Sequence, residues 1–126
     1  MTRVMQIILF SSVWLLANVA LGKSGLSLYT KFLCSTCHGH KPGQPPAVPM
    51  YPSLWGGDRG CLEREFSNIV KGFRKGSLVI AMRAQVADMD KGTSKISKDD
   101  LKLLLDYVAS QKKIDHKPAG NVSRCQ

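Results

Sequence analysis

Cys34-Ser35-Thr36-Cys37-His38 is a C-x-x-C-H pentapeptide, and the rest of the chain is read outward from it. Two thiols three positions apart can each add across one of the two vinyl groups of a haem, while the imidazole directly after the second thiol falls beneath the iron as a ligand. The same C-x-x-C spacing occurs in zinc sites and in dithiol redox centres. A structural zinc needs two more ligands at close, regular spacing, and a redox dithiol sits in a βαβ context. Neither is present, since Cys61 and Cys125 lie far off and alone.

Haem is attached to such a motif only after export, and the N-terminus reads as an address. Arg3 supplies one positive charge, residues 7–21 are almost wholly apolar, and Ala20-Leu21-Gly22 places small residues at a cleavage site. The expectation is a signal peptide over residues 1–22, cleaved after Gly22, and a periplasmic protein that starts near Lys23. The alternative is a retained membrane anchor, because the apolar stretch approaches spanning length. Ser11, Ser12, Asn18 and the single flanking charge weigh against it.

The 126-residue chain has 18 Lys and Arg against 9 Asp and Glu, a formal +9. Loss of Arg3 with the leader takes 18 to 17 and the balance to +8 over about 104 residues. That is room for one domain and one core, to which a buried haem would add apolar volume. A surface this basic favours acidic partners, and Lys71, Arg74 and Lys75 with Lys91, Lys95, Lys98 and Lys102 form a candidate docking face. Solvation alone also accounts for such charges. Nucleic acid is set aside as a partner, since an exported haem protein meets little of it.

Apolar residues at Leu26, Leu28, Tyr29, Phe32 and Leu33 predict a first helix over residues 26–33 that leads straight into the pentapeptide. Residues 39–60 carry Pro42, Pro45, Pro46, Pro49 and Pro52 and must run as a non-helical loop, long enough to wrap something. Leu62, Phe66, Ile69, Val70 and Phe73 predict a second helix over residues 61–75, stopped by Gly72 and Gly76. Residues 77–86 form a shorter apolar piece, and residues 88–95 a second loop around Gly92. Ser97 and Asp100 mark the start of a final helix with a stripe of Leu101, Leu104, Leu105 and Val108. No strand pattern or internal repeat emerges. The tail, residues 114–126, is expected to be loosely held unless Cys125 tethers it. In an exported protein two leftover thiols most often pair, so a Cys61–Cys125 disulfide is the first reading; free or partner-linked thiols are the others.

Helix, C-x-x-C-H, Pro-rich loop, helix, Met-bearing loop and final helix is an order of elements that resembles the class I c-type cytochromes, over residues 25–113. The pieces that look closest to small periplasmic carriers and to the haem subunits of flavocytochrome c sulfide dehydrogenases are Gly25 with Leu28-Tyr29, Tyr51-Pro52-Ser53-Leu54 with Gly56-Gly57, Gly72-Phe73-Arg74-Lys75-Gly76, and Ile96-Ser97-Lys98-Asp99-Asp100-Leu101 with Tyr107-Val108-Ala109. The resemblance implies an all-α, class I cytochrome c fold: a small helical domain, residues 23–113, wrapped around one covalent haem c. It implies a Met sulfur as second axial ligand to the iron beside His38. In these relatives that Met stands a set distance ahead of the Ser opening the last helix, and counting back from Ser97 reaches Met89. Met82 is the alternative, with core filler as its other natural role, and Met50 comes third. His40 is too close to His38 to reach the opposite haem face, and His116 would need a mobile tail to do so. The resemblance also makes Gly25 the small residue against which Tyr107 packs and Pro52 a residue lining the haem. Trp55 would close the haem edge or serve as core. The four prolines of residues 41–49 depart from the pattern of many relatives and leave the partner surface open.

The function these readings imply is electron transfer by a single low-spin haem, not enzymatic turnover. The protein would act as a free shuttle or as the haem subunit of an oxidoreductase with a flavin or molybdenum partner, sulfur-compound oxidation being favoured by the resemblance. The competing readings are a haem enzyme or gas sensor with an open sixth iron position, for which no distal acid–base residues stand out, and a structural module in which the pentapeptide is accidental.

Overall fold

The computed structural model describes residues 22–116, 125 and 126. The expected leader, residues 1–22, lies outside them except for Gly22. About half of the described chain is helical, with one small two-stranded hairpin.

Helix α1, Gly25–Lys31, starts at a reciprocal cap: the Ser27 amide donates to Ser24 Oγ and the Ser24 amide to Ser27 Oγ, each at 3.0 Å. This satisfies two of the amides that a helix start leaves bare. The predicted run into the pentapeptide is broken at Leu33, a non-glycine residue with φ 58° that caps the start of α2, Cys34–His38. A left-handed leucine costs roughly 1–2 kcal/mol. It turns the pentapeptide onto a new axis, which a straight continuation of α1 would not do. Helix α2 stops at Gly39, whose φ of 106° and whose close approach to the Gln44 carbonyl, 2.6 Å from where a Cβ would sit, exclude any side chain.

Residues 39–58 contain no helix, as the prolines require. Helix α3, Arg59–Val70, is capped by Asp58, whose carboxylate accepts the Cys61 amide at 2.7 Å. It ends earlier than the periodicity predicts, so Phe73 leaves the apolar stripe and is 70% exposed. The short apolar piece proves to be a helix, α4, Ser77–Val86. It runs into a hairpin of β1, Ala87–Asp88, and β2, Thr93–Ser94, paired antiparallel with Ala87 opposite Ser94. Helix α5, Lys98–Ala109, opens as expected, with Ser97 Oγ accepting the Asp100 amide at 3.2 Å.

Helices α1 and α5 are the closest-packed pair. A Cβ on Gly25 would overlap that of Tyr107 and lie 2.7 Å from the Leu103 carbonyl, so only glycine permits this approach. Behind the crossing, Tyr29, Trp55 and Tyr107 form an aromatic cluster, with the Tyr29 and Trp55 centroids 4.8 Å apart. The core continues through Leu28, Leu62, Phe66, Val86, Leu104 and Val108. At the far end Cys61 and Cys125 are joined by a disulfide with Cα atoms 5.4 Å apart.

Candidate functional site

The side of the core away from the aromatic cluster is hollow. A cavity of about 310 Å³ opens among α2, residues 50–54, α3, α4 and α5, a size within the range of small-molecule and cofactor pockets. Cys34, Cys37 and His38 all lie on its wall, placed there by the turn at Leu33. The remaining lining is largely aliphatic and aromatic: Leu54 from the loop, Leu62 and Phe66 from α3, Leu78 and Val86 from α4, Leu105 from α5.

His38 is buried, 7% exposed, and its Nδ1 lies 2.8 Å from the Pro52 carbonyl oxygen. A carbonyl only accepts, so Nδ1 carries the proton and Nε2 keeps its lone pair. Burial lowers the imidazole pKa, against the opposing effect of the Pro52 bond, and favours the neutral ring. That is the form in which histidine ligates a metal. Burial also pushes the Cys34 thiol up to about 11, with Cys37 adding to it. Redox-active dithiols carry a depressed pKa, and the Cys34 thiol is shifted the other way. Among the described residues no group of three or more His, Cys, Asp and Glu side chains is arranged to hold a metal ion.

The methionines fall differently from the count made along the sequence. Met89 stands in the four-residue turn of the hairpin, is 44% exposed and does not reach the cavity. The cause is the hairpin itself. Pairing of residues 87–88 with 93–94 folds the segment onto itself, and the Met89 carbonyl accepts from Arg83 at 3.4 Å, with Arg83 also bonded to the Val70 carbonyl. Met82, on α4, does line the cavity, as does Met50, which is 48% exposed. The signal for Met82 was in the sequence: Leu78, Met82 and Val86 recur every four residues, the spacing of one helical face.

No family model, curated protein or solved structure matches this chain. Pro52 lines the cavity as expected; Trp55 and Tyr107 do not. Trp55 is fully buried between Tyr29 and Tyr107 and donates from Nε1 to the Gln44 carbonyl at 3.1 Å, which makes it core rather than cavity wall. His40 is exposed, and the ring of His116 is bonded to the Tyr51 carbonyl at 2.9 Å. A polar feature that the periodicity did not reveal is an ion pair between Glu65 and Arg74, both on the cavity wall. It forms where the chain doubles back after α3, so no local pattern announces it. Of the basic residues grouped above, Lys91 pairs with Asp88 and Lys102 with Asp106, while Lys95 donates to the Ala84 carbonyl. No described helix is long and apolar enough to cross a membrane.

The donor set fits a covalently held haem: two thiols and a hydrogen-bonded imidazole on one wall of an apolar cavity, with thioether sulfur available from a neighbouring helix.

Proposed function

We propose that the chain is an electron-transfer protein that carries one c-type haem, attached through Cys34 and Cys37 and ligated by His38 and Met82. The observation that carries this is the convergence of Cys34, Cys37 and His38 on one apolar cavity, with the His38 ring bonded to the Pro52 carbonyl. Met82 replaces Met89 as the preferred second ligand because it lines that cavity and Met89 does not. The haem would supply a one-electron iron couple. The chain's own residues do the rest. The apolar wall excludes water, the Pro52 carbonyl orients the imidazole and raises its basicity, and the Met82 thioether favours a higher potential than a second imidazole would.

The proposed setting is the periplasm after removal of the leader. There the protein works as a free shuttle or as the haem subunit of a flavin- or molybdenum-dependent oxidoreductase, sulfur-compound oxidation being the favoured case. Its redox partners present acidic surfaces to the basic one, with 18 cationic against 9 acidic side chains in the chain.

Optical spectra of the oxidised and reduced protein test the reading. A low-spin spectrum with the near-infrared Met–iron band, lost in Met82→Ala and kept in Met89→Ala, is the expected result. A high-spin spectrum that shifts with carbon monoxide overturns it in favour of a haem enzyme or sensor with an open iron position.

A further inference from the structure

Three consecutive carbonyls of the loop, those of Tyr51, Pro52 and Ser53, are each held by a side chain from elsewhere. The middle one accepts from His38 Nδ1 at 2.8 Å. The one before it accepts from His116 Nε2 at 2.9 Å, and the one after it from Gln126 Nε2 at 2.7 Å. Both flanking donors belong to the C-terminal part of the chain, and neither touches the cavity. Next to Gln126, Cys125 is bonded to Cys61 near the start of α3, and its carbonyl accepts the Asp58 amide at 2.9 Å.

Gln126 shows that this placement is imposed. Its Oε1 is buried with no hydrogen-bond partner among the described residues. Burial of an unsatisfied amide oxygen is unfavourable, so the side chain would leave the site unless something held it. The covalent tether one residue away supplies that hold.

We infer that the disulfide-tethered tail is a positioning element for the axial imidazole: His116 and Gln126 fix the carbonyls on either side of Pro52, and so fix the acceptor that sets the His38 tautomer and orientation. The inference rests on the proposed role of His38 as iron ligand. Prolines 49 and 52 cannot donate from their backbone nitrogens, so this stretch has few internal bonds of its own and depends on outside donors for its register. The arrangement also makes the imidazole sensitive to thiols. An external dithiol that gives two electrons and two protons to the Cys61–Cys125 bond yields two cysteine thiols and its own disulfide, and the covalent hold on the tail is then lost.

The test uses the purified, isotopically labelled full chain in three forms: unmodified, Gln126→Glu with the disulfide intact, and dithiol-reduced. The Glu side chain keeps the length of Gln126 and, as a carboxylate, cannot donate to Ser53. In both altered forms the His38 Nδ1 proton is expected to exchange with solvent about ten-fold faster or more, the loss set by one hydrogen bond of ordinary strength. In the haem-loaded protein the reduction potential is expected to rise, because a ligand that loses its carbonyl partner is less basic and stabilises the oxidised iron less. A merely structural staple would lower the unfolding midpoint and leave both readings where they were. Unchanged Nδ1 exchange in either altered form overturns the inference. If the chain carries no covalent haem after export, the proposed function fails instead, and the exchange rate of the ring in that protein still decides the role of the tail.

Discussion

The four cysteines divide into two pairs with different bonding, although Cys125 of the second pair borders the same cavity as the first. Cys34 and Cys37 sit within one turn of α2, have free sulfurs, and line an apolar cavity. Cys61 and Cys125 are 64 positions apart and bonded. Nearness in sequence does not decide which thiols join. Burial pushes Cys34 up to about 11 and so suppresses the thiolate through which disulfides form and exchange. The distant pair meets because α3 and the end of the chain are brought to the same edge of the core. On the proposed function one pair takes the haem, and the other ties the end of the chain to the start of α3.

The largest test of that contrast is removal of the first pair. Cys34→Ala with Cys37→Ala is expected to abolish covalent haem completely, read as loss of the haem mass from the intact protein; haem retained at full occupancy would refute the assignment of these thiols. Removal of the second pair, Cys61→Ser with Cys125→Ser, is expected to leave haem attachment intact and to cost about 4 kcal/mol of stability on the chain-entropy account of a loop this long. Denaturant titration measures it, and an unchanged midpoint would mean that the tail contributes nothing to the fold.

A smaller effect probes the packing that carries α2 to the cavity. Gly25→Ala drives a methyl into Tyr107 and the Leu103 carbonyl. It is expected to cost about 1–3 kcal/mol, the usual range for overpacking, with loosening of the α1–α5 contact visible in amide exchange. The smallest concerns a second tie between α5 and the start of α3, where the disulfide begins. Arg59 bonds Asp106 at 2.7 Å and Glu63 at 2.8 Å, and Lys102 bonds Asp106 at 2.7 Å. The bonds from Lys102 and Arg59 hold the Asp106 carboxyl below its ordinary value of 3.8. A depressed carboxylate stabilises the native state above the ordinary value and loses that contribution as pH falls through the lowered one. Asp106→Asn should therefore lower the melting temperature slightly at neutral pH and not at pH 2, with the difference shrinking in high salt because the pair is exposed. A large, salt-independent loss would show that Asp106 acts here through its hydrogen bonds or packing rather than through exposed charge.

How far the elements could be read in advance varied with how local their causes were. The final helix was legible to within a residue of its start because its cap, Ser97 with Asp100, is a contact between near neighbours. The Pro-rich loop followed from missing donors alone. The second helix was read too long: Phe73 fits the apolar period, and only the turn after Lys71 removes it to solvent. The hairpin was invisible because each strand is two residues long, too short for alternation to register. It bears on the site, since the spacing taken from the resemblance points to Met89, which the hairpin holds away from the cavity. Trp55, left open between haem edge and core, packs with Tyr29 and Tyr107 away from the cavity wall, and Tyr107 meets Gly25 as the resemblance implies.

By itself the sequence determined the helical character of the chain, the exclusion of helix from the Pro-rich stretch, and the grouping of two thiols and an imidazole into one unit, because each depends on residues within a turn or two of one another. Tertiary structure alone decided which methionines reach the cavity beside that unit, that Pro52 holds its imidazole, and that the C-terminal end of the described chain is tied to the start of α3. Those are contacts between distant segments, and their geometry is set by how helices, loop and hairpin pack rather than by any spacing along the chain.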